Sequence, residues 1–213
     1  MVKEIRIYLE GGGDGSSGKA SIRKGFNGFL KTLINSARAQ KIRWQIIACG
    51  GRDSTFEDFK LALQTHPGAF NVLLIDAENQ VEQSPLSHLQ NRDGWEVKGI
   101  AESQCHLMVP TMEAWVIADL QALQNFYGNG FNANPIPKNS NVEALDKLQI
   151  EKSLKAATIK TQKGEYHKIR HAPDILESLN VSLVRAKAQH CNRIFDILEN
   201  EMKSNLENQL NAT

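Results

Sequence analysis

The sequence is poor in cysteine: its 213 residues hold three, Cys49, Cys105 and Cys191, far apart and with no C-x-x-C pair. That spacing argues against a structural zinc and suits a reducing cytoplasm. No apolar run approaches the roughly 18 residues that span a membrane. The first residues read as a strand rather than as a signal peptide. A cytoplasmic protein without membrane contact is the expectation. Net charge is nearly absent as well, at +1. What is present, 41% hydrophobic and 23% charged residues, describes an ordinary globular protein long enough for one sizeable core.

The small net charge conceals an uneven distribution. From Asp76 to Asp119 eight acids face two bases, a balance of −6; from Lys147 to Arg170 seven bases face two acids, a balance of +5. An acidic centre beside a basic flank suits metal-assisted chemistry on a polyanion. The alternative is a pair of solvated faces without function.

Short apolar runs at 4–9, 43–49, 71–76 and 106–109 read as strands. NVLLID (71–76) is almost continuous, as in a strand buried on both faces. Between them lie helical patterns: one over 17–38, one opening at Ser54 with Glu57 in capping-box spacing, and one from Thr111 to about Leu123. After Gly128 the texture turns helical without strands, near 141–157, 173–179 and 182–208. This predicts an α/β fold, a Rossmann-like, mostly parallel four-stranded sheet between helices over 1–128. A C-terminal helical appendage over 129–213 would pack on the same core. Ligands gather at the carboxyl ends of parallel strands, and Glu10, Gly50-Gly51-Arg52 and Asp76-Ala77-Glu78 all fall there.

The run YLEGGGDGSSGKAS (Tyr8 to Ser21) poses a choice. Gly13, Gly18 and Lys19 fit a P-loop, but the magnesium-binding hydroxyl expected after the lysine is missing at Ala20. A second template reads Glu10-Gly11-x-x-Asp14 followed by Asp76-x-Glu78. Metal ions such as Mg²⁺ need several hard oxygens converging on one point. Residues i and i+2 at a strand end share a face, so Asp76 and Glu78 are expected to meet Glu10 across neighbouring strands.

These motifs resemble the Toprim (topoisomerase–primase) superfamily, whose signature is E-G-x-x-D on the first strand and D-x-D on a later one; here the second is the acidic variant D-x-E. Within it the chain looks closest to short bacterial proteins related to the RloB-like and overcoming-lysogenization-defect nucleases. The segments that carry the likeness are GRDSTFEDF (Gly51 to Phe59), LLIDAE, HLMVPTMEAWVIAD and KGEYHKIRHAP, spread over residues 4 to about 200. The resemblance implies a nuclease dependent on Mg²⁺ or Mn²⁺, cleaving DNA or RNA. It further implies a toxic effector of anti-phage defence beside a separate ATPase. Glu10 would be metal ligand or general base, Asp76 and Glu78 ligands, and Asp14 would orient water or a second ion. Glu113, and less directly Asp119, would complete the acidic cluster. A binding module that does not cleave, and a small P-loop NTPase, remain as alternatives.

Several cations suit phosphate contacts. Lys19 and Arg23 lie in the first turns of a helix, where a bound phosphate would offset their opposition to the dipole, and Arg52 follows a glycine pair. Lys163, Tyr166, Lys168, Arg170 and His171 mix charge with an aromatic ring, a pattern for backbone contact and base stacking. A solvated loop is the alternative reading. Trp44, Trp95 and Trp115 are expected in the core.

Overall fold

The structure, a computed structural model, describes the backbone of residues 2–210 and side chains through Ser204. Strands β1 (Glu4–Glu10), β2 (Arg43–Gly50), β3 (Phe70–Asp76) and β4 (Cys105–Met108) form a sheet in the order β2-β1-β3-β4, and every pairing is parallel. The alternation along β1 sends Ile5, Ile7 and Leu9 into the larger core and Tyr8 into the smaller one on the other face. Strand β3 is central and divides its side chains the same way. Val72 and Leu74 face one core and Leu73 and Ile75 the other, which is why its sequence reads as an unbroken apolar run.

The larger core lies under α1 (Ser16–Phe29) and α2 (Lys31–Ala39), which follow β1. The apolar stripe predicts one helix over 17–38, but it breaks at Leu30, two residues after the poor helix former Gly28. On the other face pack α3 (Arg52–Thr65) and α4 (Pro85–Asp93). Helix α3 starts two residues before the expected Ser54, with Gly51 as its N-cap, so Ser54 and Glu57 form no capping box. After β4 come α5 (Met112–Ala118) and α6 (Leu120–Tyr127). The periodicity predicts a single helix here. Asp119 divides it by turning its carboxylate to the amides of Gln121 and Ala122, each at 3.1 Å.

The C-terminal region comprises α7 (Lys147–Thr158), α8 (Lys168–Ser178), α9 (Val181–Lys187) and α10 (Gln189–Leu210). It shares the larger core with the sheet, through Ile150, Ile175, Val184 and Phe195. Helix α8 lies directly on α1. A Cβ on Gly25 would fall 2.5 Å from the Pro173 carbonyl, and one on Gly28 2.6 Å from Glu177 Cγ. That close approach places the first turn of α8 against the end of β3. Among the described residues no helix is long and apolar enough to cross a membrane. All three cysteines are free and buried.

Candidate active site at the carboxyl rim of the sheet

The chain leaves β1 toward β2 and leaves β3 toward β4, on the opposite side. The ends of β1 and β3 therefore flank a topological switch point, where open parallel sheets leave a crevice. Glu10 closes β1 and Asp76 closes β3. Above them the loop Gly11–Gly13 runs with φ of 131°, 84° and 63°, a left-handed path that glycine follows without penalty. The loop folds back on the first turn of α1 so tightly that a Cβ on Gly18 would lie 2.0 Å from the Gly12 carbonyl. Glu10, this loop, Asp76, Met112, Lys168 and Ile169 are among the groups enclosing a cavity of about 190 Å³.

Each acid at the rim has a defined partner. Glu10 Oε2 accepts the Asp76 amide at 3.2 Å and lies 3.4 Å from Arg52 Nη1. Asp76, 3% exposed, accepts the Met112 amide at 2.8 Å on Oδ1 and the Lys168 ammonium at 2.7 Å on Oδ2. Glu113, also 3% exposed, accepts the Tyr166 hydroxyl at 3.1 Å and lies 3.4 Å from the same ammonium. Burial opposes the charge of Lys168, but Asp76, Glu113 and Glu10 outweigh it and hold the ammonium well above its ordinary range. Arg52 is fixed by a two-pronged pair with Asp93, at 2.9 and 2.8 Å, by the Asp76 carbonyl at 2.5 Å, and by the face of Trp95 at 5.3 Å.

Burial, and then the neighbouring Asp76 carboxylate, push Glu10 from an ordinary 4.5 up to about 7. Between those values the folded protein holds a proton that the unfolded chain has released, so stability falls as pH rises through that window. In chelator, Glu10→Gln is expected to remove on the order of 3 kcal/mol of that fall. The variant gains on the wild type toward pH 8, and the gain vanishes toward pH 5. Denaturant titrations at both pH values check this, and parallel wild-type and variant profiles would refute it.

The remaining expected site residues are dispersed. Glu78 lies beyond the end of β3 with φ 72°, so strand alternation does not carry its side chain to Asp76. Its amide donates to the Pro110 carbonyl at 2.7 Å and its carboxylate pairs with Lys147. Asp14 is exposed on the glycine loop and does not line the cavity. Lys19 packs its stem over Gly50, and Arg23 lies on the far side of α1. Within the basic tract, Tyr166 is buried and holds Glu113, so its ring cannot stack on a base without unfolding its surroundings. His171 is also buried; it accepts from the Tyr127 hydroxyl at 2.9 Å, and burial followed by Arg170 pushes its pKa down. Lys163 rests over the Phe126 ring at 4.6 Å, and Arg170 is exposed. Asp119 caps α6 and accepts the Asn180 amide at 2.8 Å, a structural role. Trp115 is buried, whereas Trp44 and Trp95 are only partly so.

Asp93 and Lys147 were not among the expected residues. Asp93 had a readable signal: Ser84-Pro85 and Gly94 bracket a helix whose last residue it is.

Among the described residues no three carboxylate, imidazole or thiol side chains are gathered as a cage for a metal ion. The donor chemistry nevertheless suits a hard divalent cation. Five carboxylates (Glu10, Asp76, Glu78, Asp93, Glu113) meet four cations (Arg52, Arg92, Lys147, Lys168).

The profile of a family described as a domain of unknown function, DUF4276, matches residues 9–199. No curated protein and no solved structure matches the chain.

Proposed function

The chain belongs to the DUF4276 family, and we propose that its rim is a Mg²⁺- or Mn²⁺-dependent centre that cleaves phosphodiester bonds of nucleic acid. The observation that carries this reading is the Glu10–Asp76 pair, set side by side at the switch point under a glycine loop. Glu10 and Asp76 would hold the ion, with Glu113 joining once Lys168 withdraws from it; Glu78 and Asp14 are placed less well. A bound divalent ion supplies an activated water and stabilises charge on the attacked phosphate. Where Glu10 does not ligate the ion it would serve as general base toward an attacking water. Lys168 offers a positive charge to a phosphate oxygen in the same cavity. The glycine loop leaves no side chain between that oxygen and the backbone.

The resemblance to Toprim nucleases in four ordered segments supports the same reading. It extends it to an effector of anti-phage defence, in a reducing cytoplasm, beside a separate ATPase. Purified protein incubated with labelled DNA and RNA across a Mg²⁺ and Mn²⁺ series tests the chemistry. Cleavage that appears with metal and stops with chelator is the expected result. No cleavage together with no metal-dependent rise in melting temperature would reject it.

A second reading has its own observation. Lys168 already bridges Asp76 and Glu113, as in a site that binds phosphate or nucleotide without metal and without cleavage. That reading expects inorganic phosphate or a nucleotide to raise the melting temperature in chelator. A P-loop NTPase has least support, because Ala20 supplies no hydroxyl.

A further inference from the structure

On the opposite side of α1 from the rim lies a second, larger depression, an open groove of about 1130 Å³. Helical geometry fixes the separation. With 3.6 residues per turn, Ala20, Arg23, Lys24 and Asn27 share one face, about half a turn from the face of Gly18 and Ile22. The first set lines the groove and the second lines the rim cavity. The groove is therefore not a wall of the candidate active site.

Its composition is one-sided. Arg23, Lys24, Lys31, Arg38, Lys41 and Arg43 line it, against a single acid, Glu177. Glu177 is already engaged by Lys24 at 2.8 Å. The other five cations form no ion pair among the described residues and are exposed. Between them, Trp44, Ile34 and Ile46 form an apolar part of the lining. Five unpaired cations in one concavity repel one another unless an anion of comparable length lies among them.

Lys41 adds a second observation. Helix α2 ends with the Lys41 amide on the Arg38 carbonyl at 3.0 Å and the Ile42 amide on the Ala37 carbonyl at 2.9 Å. This is the Schellman arrangement, whose left-handed position is usually glycine. Here a lysine occupies it, with φ 58°. Backbone strain is thus accepted at a residue that puts a charge at the groove.

We propose that this groove binds a nucleic-acid backbone, as a docking site separate from the rim. A lipid surface fits less well. The groove is concave, and none of the exposed large apolar side chains, Leu61, Leu148, Ile159, Ile169 and Leu183, lines it for insertion into a bilayer. Docking here does not depend on the rim being a nuclease, since the two sites lie on different faces of α1.

The test is fluorescence anisotropy of labelled DNA and RNA in chelator over a salt series, with the wild type and an Arg38→Ala/Lys41→Ala/Arg43→Ala variant. Neutralised phosphates release counterions, so three lost contacts should lower the slope of log affinity against log salt by about two to three units. Metal-dependent changes in melting temperature, which report on the rim, should be the same in both proteins. Lys41→Gly is the second variant. It relaxes the turn, so the melting temperature should hold or rise while the slope falls by about one unit. An unchanged slope in both variants, or no wild-type binding at low salt, overturns the proposal. So does a loss confined to phosphatidylserine vesicles with nucleic-acid binding intact, which would assign the groove to lipid headgroups.

Discussion

Asp76→Asn is expected to reduce the proposed metal-dependent cleavage at least about 10²-fold, the scale on which losing one charge-stabilising group at a reacting centre slows catalysis. The substitution is close to isosteric and leaves Oδ1 to accept the Met112 amide, now at 2.8 Å. At Oδ2 it places an amide NH₂ against the Lys168 ammonium, which the carboxylate holds at 2.7 Å. Two donors then face each other, the one on residue 76 buried and the ammonium partly open to water. A stability loss of about 1–3 kcal/mol should accompany the loss of activity. The Asp76→Asn/Lys168→Met variant, where the facing donors are gone, reads the stability effect alone, and stability should partly return. A folded Asp76→Asn protein that cleaves at the wild-type rate would remove Asp76 from the reaction.

The parts of this site that were legible in the sequence are those set by short-range pattern. The buried run NVLLID placed Asp76 at the end of a central strand, and EIRIYL did the same for Glu10, because strand periodicity and burial are local signals. A parallel α/β sheet permits the pairing of β1 with β3 but does not require it, since the order β1-β2-β3 is equally parallel. Glu78 shows where local pattern stops: alternation holds only while the strand lasts, and the backbone turns left-handed at that residue. Helix α4 was missed because residues 85–93 carry little apolar periodicity, although Ser84, Pro85 and Gly94 mark both of its ends. Partners of the acids were not legible at all. Arg52 meets Asp93 across 41 residues and Lys168 meets Asp76 across 92. Those pairings depend on how α8 seats on α1, which two glycines decide by how closely the helices approach. The acidic centre and basic flank of the sequence are, in part, the two halves of these ion pairs. The groove beneath α1 and α2 gave no contiguous signal, since its cations are scattered from Arg23 to Arg43 and only the α1–α2 turn gathers them.

Lys168→Met should have the largest effect on stability. The methionine keeps much of the stem, so the change isolates the charge. Asp76 and Glu113, both buried, lose the cation they share and keep only the Met112 amide and the Tyr166 hydroxyl. Removing one partner of a fully buried pair costs about 3–5 kcal/mol. The lysine side chain is 45% exposed, so water reaches its place and screens the carboxylates, and about 2–3 kcal/mol at neutral pH is the expected loss. Metal supplies a handle on that loss. If the rim takes a divalent cation, the ammonium competes for the oxygens of Asp76, and its removal should enlarge the rise in melting temperature on adding Mg²⁺ or Mn²⁺. Calorimetry of both proteins, with metal and with chelator at pH 7.5, reads both terms. A variant as stable as the wild type would mean that the ammonium adds nothing to the stem that methionine keeps. An equal lack of metal response in both proteins would argue against a metal centre at this rim and for the non-cleaving phosphate site, in which Lys168 itself is the cation.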